Sequence, residues 1–240
     1  VPNTDIGTED GTKTFLIPKD SLDNFSLAQN VISSIESRFC EKLNDHILMA
    51  ENNTATKCTI EHLFVHPTIL NAPQDSLEND ETISYKIENI LEDDSNYLIY
   101  GLKESGKTIL LDKVFLDSIN KFSFYNKVPV LLKFGELKKK DPKKIIKEFL
   151  GIPSKEMDNF LSNNKVLLLL DDMYFNGGES DEIKKLIEFL NKFPKLQLVS
   201  TCTQVLDNVI PTQSLKYNES FDFNLAFIQN FNTSEIKQLI

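Results

Sequence analysis

The residues with the clearest chemical meaning lie between Gly101 and Thr108, where the sequence reads Gly-Leu-Lys-Glu-Ser-Gly-Lys-Thr. This stretch fits the pattern G-x-x-x-x-G-K-[ST], which predicts a loop that binds the phosphates of a nucleotide. The four fixed positions occur by chance in only about one chain in a hundred of this length and average composition. A glycine-rich turn followed by a surface lysine is therefore the weaker interpretation.

Each position of this loop has a physical role. Backbone N–H groups of residues 104–107, at the start of a helix, favour an anionic phosphate. Gly106 lets the backbone turn close to the ligand, Lys107 is expected to reach the β- and γ-phosphates, and the Thr108 hydroxyl to bind Mg²⁺. Glu104 adds a negative charge, so its side chain is expected to point outward. The residues predicted to bind the di- or triphosphate of a nucleotide are Gly101, Glu104, Ser105, Gly106, Lys107, Thr108 and Ile109.

A pair of carboxylates follows an aliphatic run further along the chain. Residues 166–170 read Val-Leu-Leu-Leu-Leu and precede Asp171 and Asp172. A strand this apolar is typical of a parallel sheet that is covered on both faces. Ligands bind at the carboxyl edge of such sheets. Asp171 is therefore predicted to bind Mg²⁺ through a water, and Asp172 to orient or activate the attacking water. The predicted catalytic residues are Asp172 and Lys107; in the alternative interpretation the two aspartates cap a loop.

Short polar residues end another predicted strand, 196–199. They are Ser200, Thr201, Cys202 and Thr203. Two interpretations are equally supported: hydrogen bonds to the γ-phosphate or the attacking water, and the capping of a turn.

These residues require a scaffold of alternating strands and helices. Apolar runs predict strands over 97–100, 128–134, 166–170 and 196–199, and an edge strand over 221–228. Helices are predicted over 83–91, 107–122, 154–161 and 180–193, with a further start at Asp141-Pro142 and another over 233–240. The predicted fold class is α/β: a P-loop NTPase with a mostly parallel sheet sandwiched by helices, preceded by an N-terminal helical segment.

The first eighty residues differ in pattern from the rest. Residues 1–20 are predicted to be a flexible terminus with a short strand at 14–17, and 21–80 to hold one amphipathic helix over 26–50 and a linker. The nucleotide-binding domain is placed at 81–240, with its end truncated. Because the chain begins at Val1, it is expected to be a processed product or a segment of a longer protein.

Composition excludes several classes of function. The net charge of −10 argues against nucleic-acid binding, and no apolar run is long enough to cross a membrane, so a cytoplasmic protein is expected.

Cys40, Cys58 and Cys202 form no CxxC pair and are expected to be reduced thiols. A zinc site at Cys58, His62 and His66 is disfavoured, since structural zinc generally takes four ligands. Six lysines over 138–147 are expected to form a solvated helix face.

The 26 basic residues are 25 lysines and one arginine, Arg38. Arginine side chains stabilise the charge that develops in phosphoryl transfer. None lies in the predicted nucleotide-binding domain. Either a missing segment or a neighbouring subunit supplies one, or hydrolysis is slow.

The order of these motifs resembles the STAND class of signal-transduction NTPases, in particular its NACHT-like and NB-ARC-like branches. The resemblance covers about residues 90–240 and is most specific at the loop and the Asp171 strand. It implies a switch that binds ATP or ADP and controls assembly with other domains or subunits, in proteins many of which look like antiphage defence proteins. The extended piece 60–70 is similar to the linker that touches adenine in these families.

This sequence departs from the resemblance at two points. Met173, Tyr174 and Phe175 follow the aspartates where NACHT domains carry more acids, and Cys202 stands where an arginine is common. Two other functions stay open: a stand-alone ATPase or phosphotransferase, and a scaffold with a degenerate nucleotide site.

Overall fold

The computed structural model describes residues 6–7, 13–14, 19–45, 60, 64–73, 83–174, 181–203 and 222–238. The strands are β1 (Ile6–Gly7), β2 (Lys13–Thr14), β3 (Ile69–Leu70), β4 (Ser84–Tyr85), β5 (Asn96–Gly101), β6 (Lys127–Lys133), β7 (Lys165–Met173), β8 (Leu196–Thr203) and β9 (Phe223–Ile228). The helices are α1 (Lys19–Asp45), α2 (Ile87–Glu92), α3 (Lys107–Asn120), α4 (Phe122–Tyr125), α5 (Pro142–Leu150), α6 (Ser154–Asn163), α7 (Asp181–Lys192) and α8 (Thr233–Gln238). A 3₁₀ helix spans Phe134–Lys138.

Seven strands form one sheet in the order β4-β3-β9-β5-β8-β7-β6. The five strands from β9 to β6 are parallel, and β3 and β4 add antiparallel pairs at one edge. The chain moves in one direction along the sheet from β5 to β6 and returns through β7 to β8. Helix α3 packs against β6 and β7, and α5 packs against β6 and α7. The α/β prediction of a mostly parallel sheet covered by helices is confirmed.

Strand β7 is central because it is apolar along nearly its whole length. All its residues are buried except Lys165 and Asp172. Helix α5 begins as its sequence predicts, since Asp141 accepts a hydrogen bond from the Lys143 N–H at 2.9 Å and Pro142 occupies the first turn.

One strand prediction and the start of one predicted helix are wrong. The segment predicted as an edge strand is β9, which lies inside the sheet between β3 and β5. The predicted helix 83–91 begins only at Ile87, because Ser84 and Tyr85 pair instead with β3. Both errors have one cause. A two-residue strand forms its hydrogen bonds with residues distant in sequence, and no local sequence pattern predicts such a strand.

The bounds of the other elements differ less from those predicted. Helix α1 begins at Lys19 rather than 26, and the end predicted for it, 46–50, lies outside the described residues, as do 15–17 of the predicted N-terminal strand. The domain boundaries at 20 and 80 stay a prediction; β3, in the segment 21–80, pairs in the sheet. Within the described ranges, no helix has the length and apolar character needed to cross a bilayer.

Helix α1 packs beside α3 and α5 through aromatic side chains. Phe39 stacks on Phe149 of α5 with ring centroids 4.5 Å apart, and Phe115 of α3 meets both rings edge-on. Arg38 donates from Nη2 to the Phe149 carbonyl at 2.8 Å, while its guanidinium lies 5.1 Å from the Phe39 ring centroid. The only arginine of the chain thus attaches α1 to the end of α5.

We predict that Arg38→Ala loosens α1 without disrupting the sheet. Loss of the hydrogen bond and the ring contact should lower the free energy of unfolding by about 1 kcal/mol. Amide hydrogen exchange should quicken in α1 and not in β7. Glu36→Ala, an exposed position on the same helix, is the control; equal exchange in the two variants would contradict this role of Arg38.

Candidate functional site

Strand β5, a tight loop and helix α3 place the predicted phosphate-binding residues together. Gly106 precedes α3 with φ 81°, and Glu104 has φ 64°. Gly101 ends β5 where a Cβ would lie 2.3 Å from Ser105 Oγ and 3.2 Å from Lys107 Cγ. The first glycine is therefore required by close approach, and the second by its left-handed backbone conformation.

The other loop side chains take distinct positions. Glu104 is exposed and lies 3.9 Å from Lys103, so its carboxylate points outward as expected. Ser105 Oγ is buried and has no hydrogen-bond partner among the described residues. The Ser105 N–H donates to the Leu102 carbonyl at 3.2 Å, so this amide stabilises the turn in the structure rather than facing a ligand as predicted.

Lys107 is buried at the start of α3. Its ammonium donates to the carbonyls of Gly101 at 3.1 Å and Leu102 at 2.6 Å. Burial lowers the pKa of Lys107, while the carboxylates of Asp172 and Asp171 act in the opposite direction. A phosphate would therefore replace two neutral carbonyls as the partner of this cation.

Asp171 joins three elements of the fold through its carboxylate. Its Oδ2 accepts from the Thr108 hydroxyl at 2.9 Å, and its Oδ1 accepts from the Thr201 hydroxyl at 2.7 Å. The Thr201 oxygen in turn accepts from the Asp172 N–H at 3.1 Å. Carboxylate and hydroxyl oxygens are ligands that Mg²⁺ prefers, so the Thr108–Asp171 pair suits this metal.

Asp172 does not bond to this pair through its side chain, although its carboxylate is close enough to oppose the burial that lowers the pKa of Lys107. The register between β7 and β8 shifts between Leu170 and Met173, and Asp172 takes φ 59° with an exposed side chain. Ile109 is 39% exposed on α3. The structure thus brings the loop, Lys107, Thr108 and Asp171 together, while Asp172 and Ile109 face solvent beside them.

Thr201 is the residue that the sequence-based site omitted. The polar strand end was recognised, with a contact to the γ-phosphate or attacking water still a prediction, but the hydrogen bond by which Thr201 of β8 holds Asp171 was not foreseen. The alternation of side chains along two paired parallel strands is the signal that could have identified it.

Cys202 lies on β8 opposite Tyr100 of β5. Burial raises the pKa of Cys202 to about 11, with Lys107 acting against the shift, so the thiol is neutral near pH 7. Cys40 is also a free thiol. The side chain at position 202 is therefore a neutral thiol rather than a cation.

A cavity of about 660 Å³ opens beside α3 and is bounded by the segment 66–69, by β4 and by α2. Leu110 lines it, about one helical turn from Lys107. Residues 66–69, within the segment 60–70 that was expected to touch adenine, supply one of its walls.

Two secondary expectations concern other parts of the surface. Cys58 and His62 lie outside the described residues, and the described part of the chain holds no group of three or more metal-binding side chains.

In the lysine cluster, Lys140 pairs with Glu148 at 2.5 Å and Lys143 with Asp158 at 2.7 Å. These pairs occupy charges that would otherwise be offered to a partner.

Comparison with known proteins identifies no family. No protein-family model and no curated protein matches the chain. Among solved structures, AMPPCP-bound DnaA from Aquifex aeolicus aligns at 20% identity and a TM-score of 0.41, covering 64% of this chain and 45% of that one. Drosophila ORC bound to GC-rich DNA and Cdc6 aligns at 11% and 0.40, covering 100% and 38%. The chain spans less than half of either length, and similarities this low assign no function to it.

We predict that Gly101→Ala distorts the phosphate-binding loop. The added Cβ would meet Ser105 and Lys107, so the free energy of unfolding should fall by about 1–3 kcal/mol. Gly135→Ala is the matched control, since nothing lies within 4 Å of a Cβ there. Urea denaturation of the two variants measures the difference; equal stability would show that the loop accommodates the methyl group.

Proposed function

We propose that this chain is an ATP-binding regulatory module with slow hydrolysis, part of a larger signalling protein of the STAND class. The observation that carries the proposal is the hydrogen bond from Thr108 to Asp171, which joins the helix after the loop to the end of the aliphatic strand. The phosphates would lie against the loop and the start of α3, and the base in the cavity lined by Leu110.

Bound Mg²⁺ would neutralise phosphate charge. Thr108 and Asp171 would hold it, and Thr201 would keep the Asp171 carboxylate in position. The Lys107 ammonium would turn from its own loop carbonyls to the phosphates, and Ser105 Oγ would gain an acceptor that it lacks among the described residues.

Slow hydrolysis follows from the charges around the site. The guanidinium of Arg38 is bonded to the Phe149 carbonyl and to Ser34, and Cys202 is neutral. A cation to stabilise the transition state would therefore come from another domain or subunit. This dependence supports a switch rather than a stand-alone ATPase or phosphotransferase, and defence signalling is the role proposed by resemblance.

We predict that Lys107→Ala weakens ATP binding by about ten- to a hundredfold, because a charge-assisted contact to phosphate is lost. Lys103→Ala should bind like the wild type, since that side chain is 87% exposed in the same loop. Calorimetric titration with ATP and Mg²⁺ measures both affinities. Unchanged affinity of Lys107→Ala, in a chain of normal stability, would refute the proposed function.

A second prediction concerns the metal. In wild-type protein Mg²⁺ should tighten ATP binding, and Asp171→Asn should remove most of this effect because the amide carries no negative charge. Thr201→Val should reduce it partly, since the valine leaves the carboxylate with one hydroxyl donor. Thr233→Val, at an exposed threonine at the start of α8, is the control. An Asp171→Asn variant that kept the full Mg²⁺ dependence would exclude this metal site.

A further inference from the structure

A second cavity of about 290 Å³ lies beside another face of α3, under the N-terminal helix. Leu110 faces the first cavity, while Thr108, Leu111 and Phe115 line this one. At 100° per residue Thr108, Leu111 and Phe115 leave the helix about 160°, 100° and 140° away from Leu110. The second cavity is therefore not part of the proposed base site, although it meets the site at Thr108 and Asp171.

The walls of this cavity are mostly apolar. Phe39, Phe115 and Phe149 line it together with leucines from α1, α3 and β6. The three rings are already packed against one another, so this wall is formed without a ligand. A concave, mostly apolar space with a few polar groups is the usual form of a small-molecule site, and this volume is at the lower limit of that range.

The polar groups of the lining are predominantly acidic. The carboxylates of Asp112, Glu136 and Asp171 line the cavity with one ammonium, that of Lys133. The formal charge of the lining is thus −2, beside walls of low polarity that strengthen electrostatic attraction. Aromatic faces also attract cations. An anionic ligand is disfavoured here, and a cation attached to an apolar body is favoured.

We propose that this cavity binds a small organic amine, with its apolar body among the three phenylalanines and its ammonium at the carboxylates. Asp171 also belongs to the proposed metal site, so the amine and Mg²⁺·ATP would weaken each other's binding. The coupling rests on the proposed function; the amine site itself does not.

The test uses the full chain and three probes of similar shape: 2-phenylethylamine, 2-phenylethanol and 3-phenylpropanoate. The amine should bind about tenfold or more tightly than either of the others, measured by calorimetry. Leu131→Phe, which fills the cavity, should abolish binding of the amine. Phe124→Ala, at a side chain that is 76% exposed elsewhere, is the control.

Two charge variants give opposite expectations. Glu136→Gln keeps an oxygen that can accept from the Lys133 N–H, as Glu136 does at 3.2 Å, but removes the charge, so amine binding should weaken about threefold or more. Lys133→Met should strengthen it. Neither change should alter binding of the alcohol. Equal affinity of amine and alcohol, or no binding of the amine to the folded wild type, would overturn the proposal.

The outcomes separate this inference from the proposed function. If the chain binds ATP but no amine, only the proposed amine site is refuted. If it binds the amine but no ATP, only the proposed nucleotide function is refuted. Where both bind, Mg²⁺·ATP should weaken binding of the amine several-fold. An unchanged amine affinity would overturn the coupling.

Discussion

The site depends on the Asp171 carboxylate being held from two sides. Thr108 reaches it from α3 and Thr201 from β8, so one side chain fixes the relative positions of a helix and two strands. A buried carboxylate is costly unless it is hydrogen-bonded, and both of its oxygens are bonded here. The same carboxylate that is predicted to bind a metal thus also stabilises the fold around it.

This arrangement requires the strands to keep their register, and the opposite edge of the sheet contributes to that. Lys127 is buried at the start of β6 and donates to Gln197 at 2.8 Å and to the Asp93 carbonyl. Gln197 donates in turn to the carbonyls of Ile90 and Ser95. These bonds tie β6, β8 and the segment before β5 together at their amino ends. A shift of one residue would break the network and would also move Thr201 to the other face of the sheet.

Sequence patterns were sufficient for the parts of the fold that local physics dictates. The loop, the aliphatic strand β7 and the start of α5 each carry their signal in consecutive residues. The order of the strands has no such local signal. Strand β9 is interior only because it pairs with β3, which lies more than a hundred residues away in the sequence. Thr201 was not assigned for a related reason, since its partner is set by pairing between strands, and the exposure of Asp172 follows from a bulge that periodicity does not show. The roles assigned to the site residues remain predictions.

The distribution of positive charge is the basis of our proposal that this site binds ATP and hydrolyses it slowly. Lys107 is buried, and its ammonium is already bonded to the carbonyls of its own loop. Phosphates can exchange with those carbonyls at little cost, because the backbone oxygens return to water or to neighbouring amides. Hydrolysis makes a further demand, since charge spreads over the transferred group and needs another cation. Among the described residues Arg38 is bonded at the contact between α1 and α5, so in the proposed function a second cation would come with another protein surface, and assembly would then control the rate of the reaction.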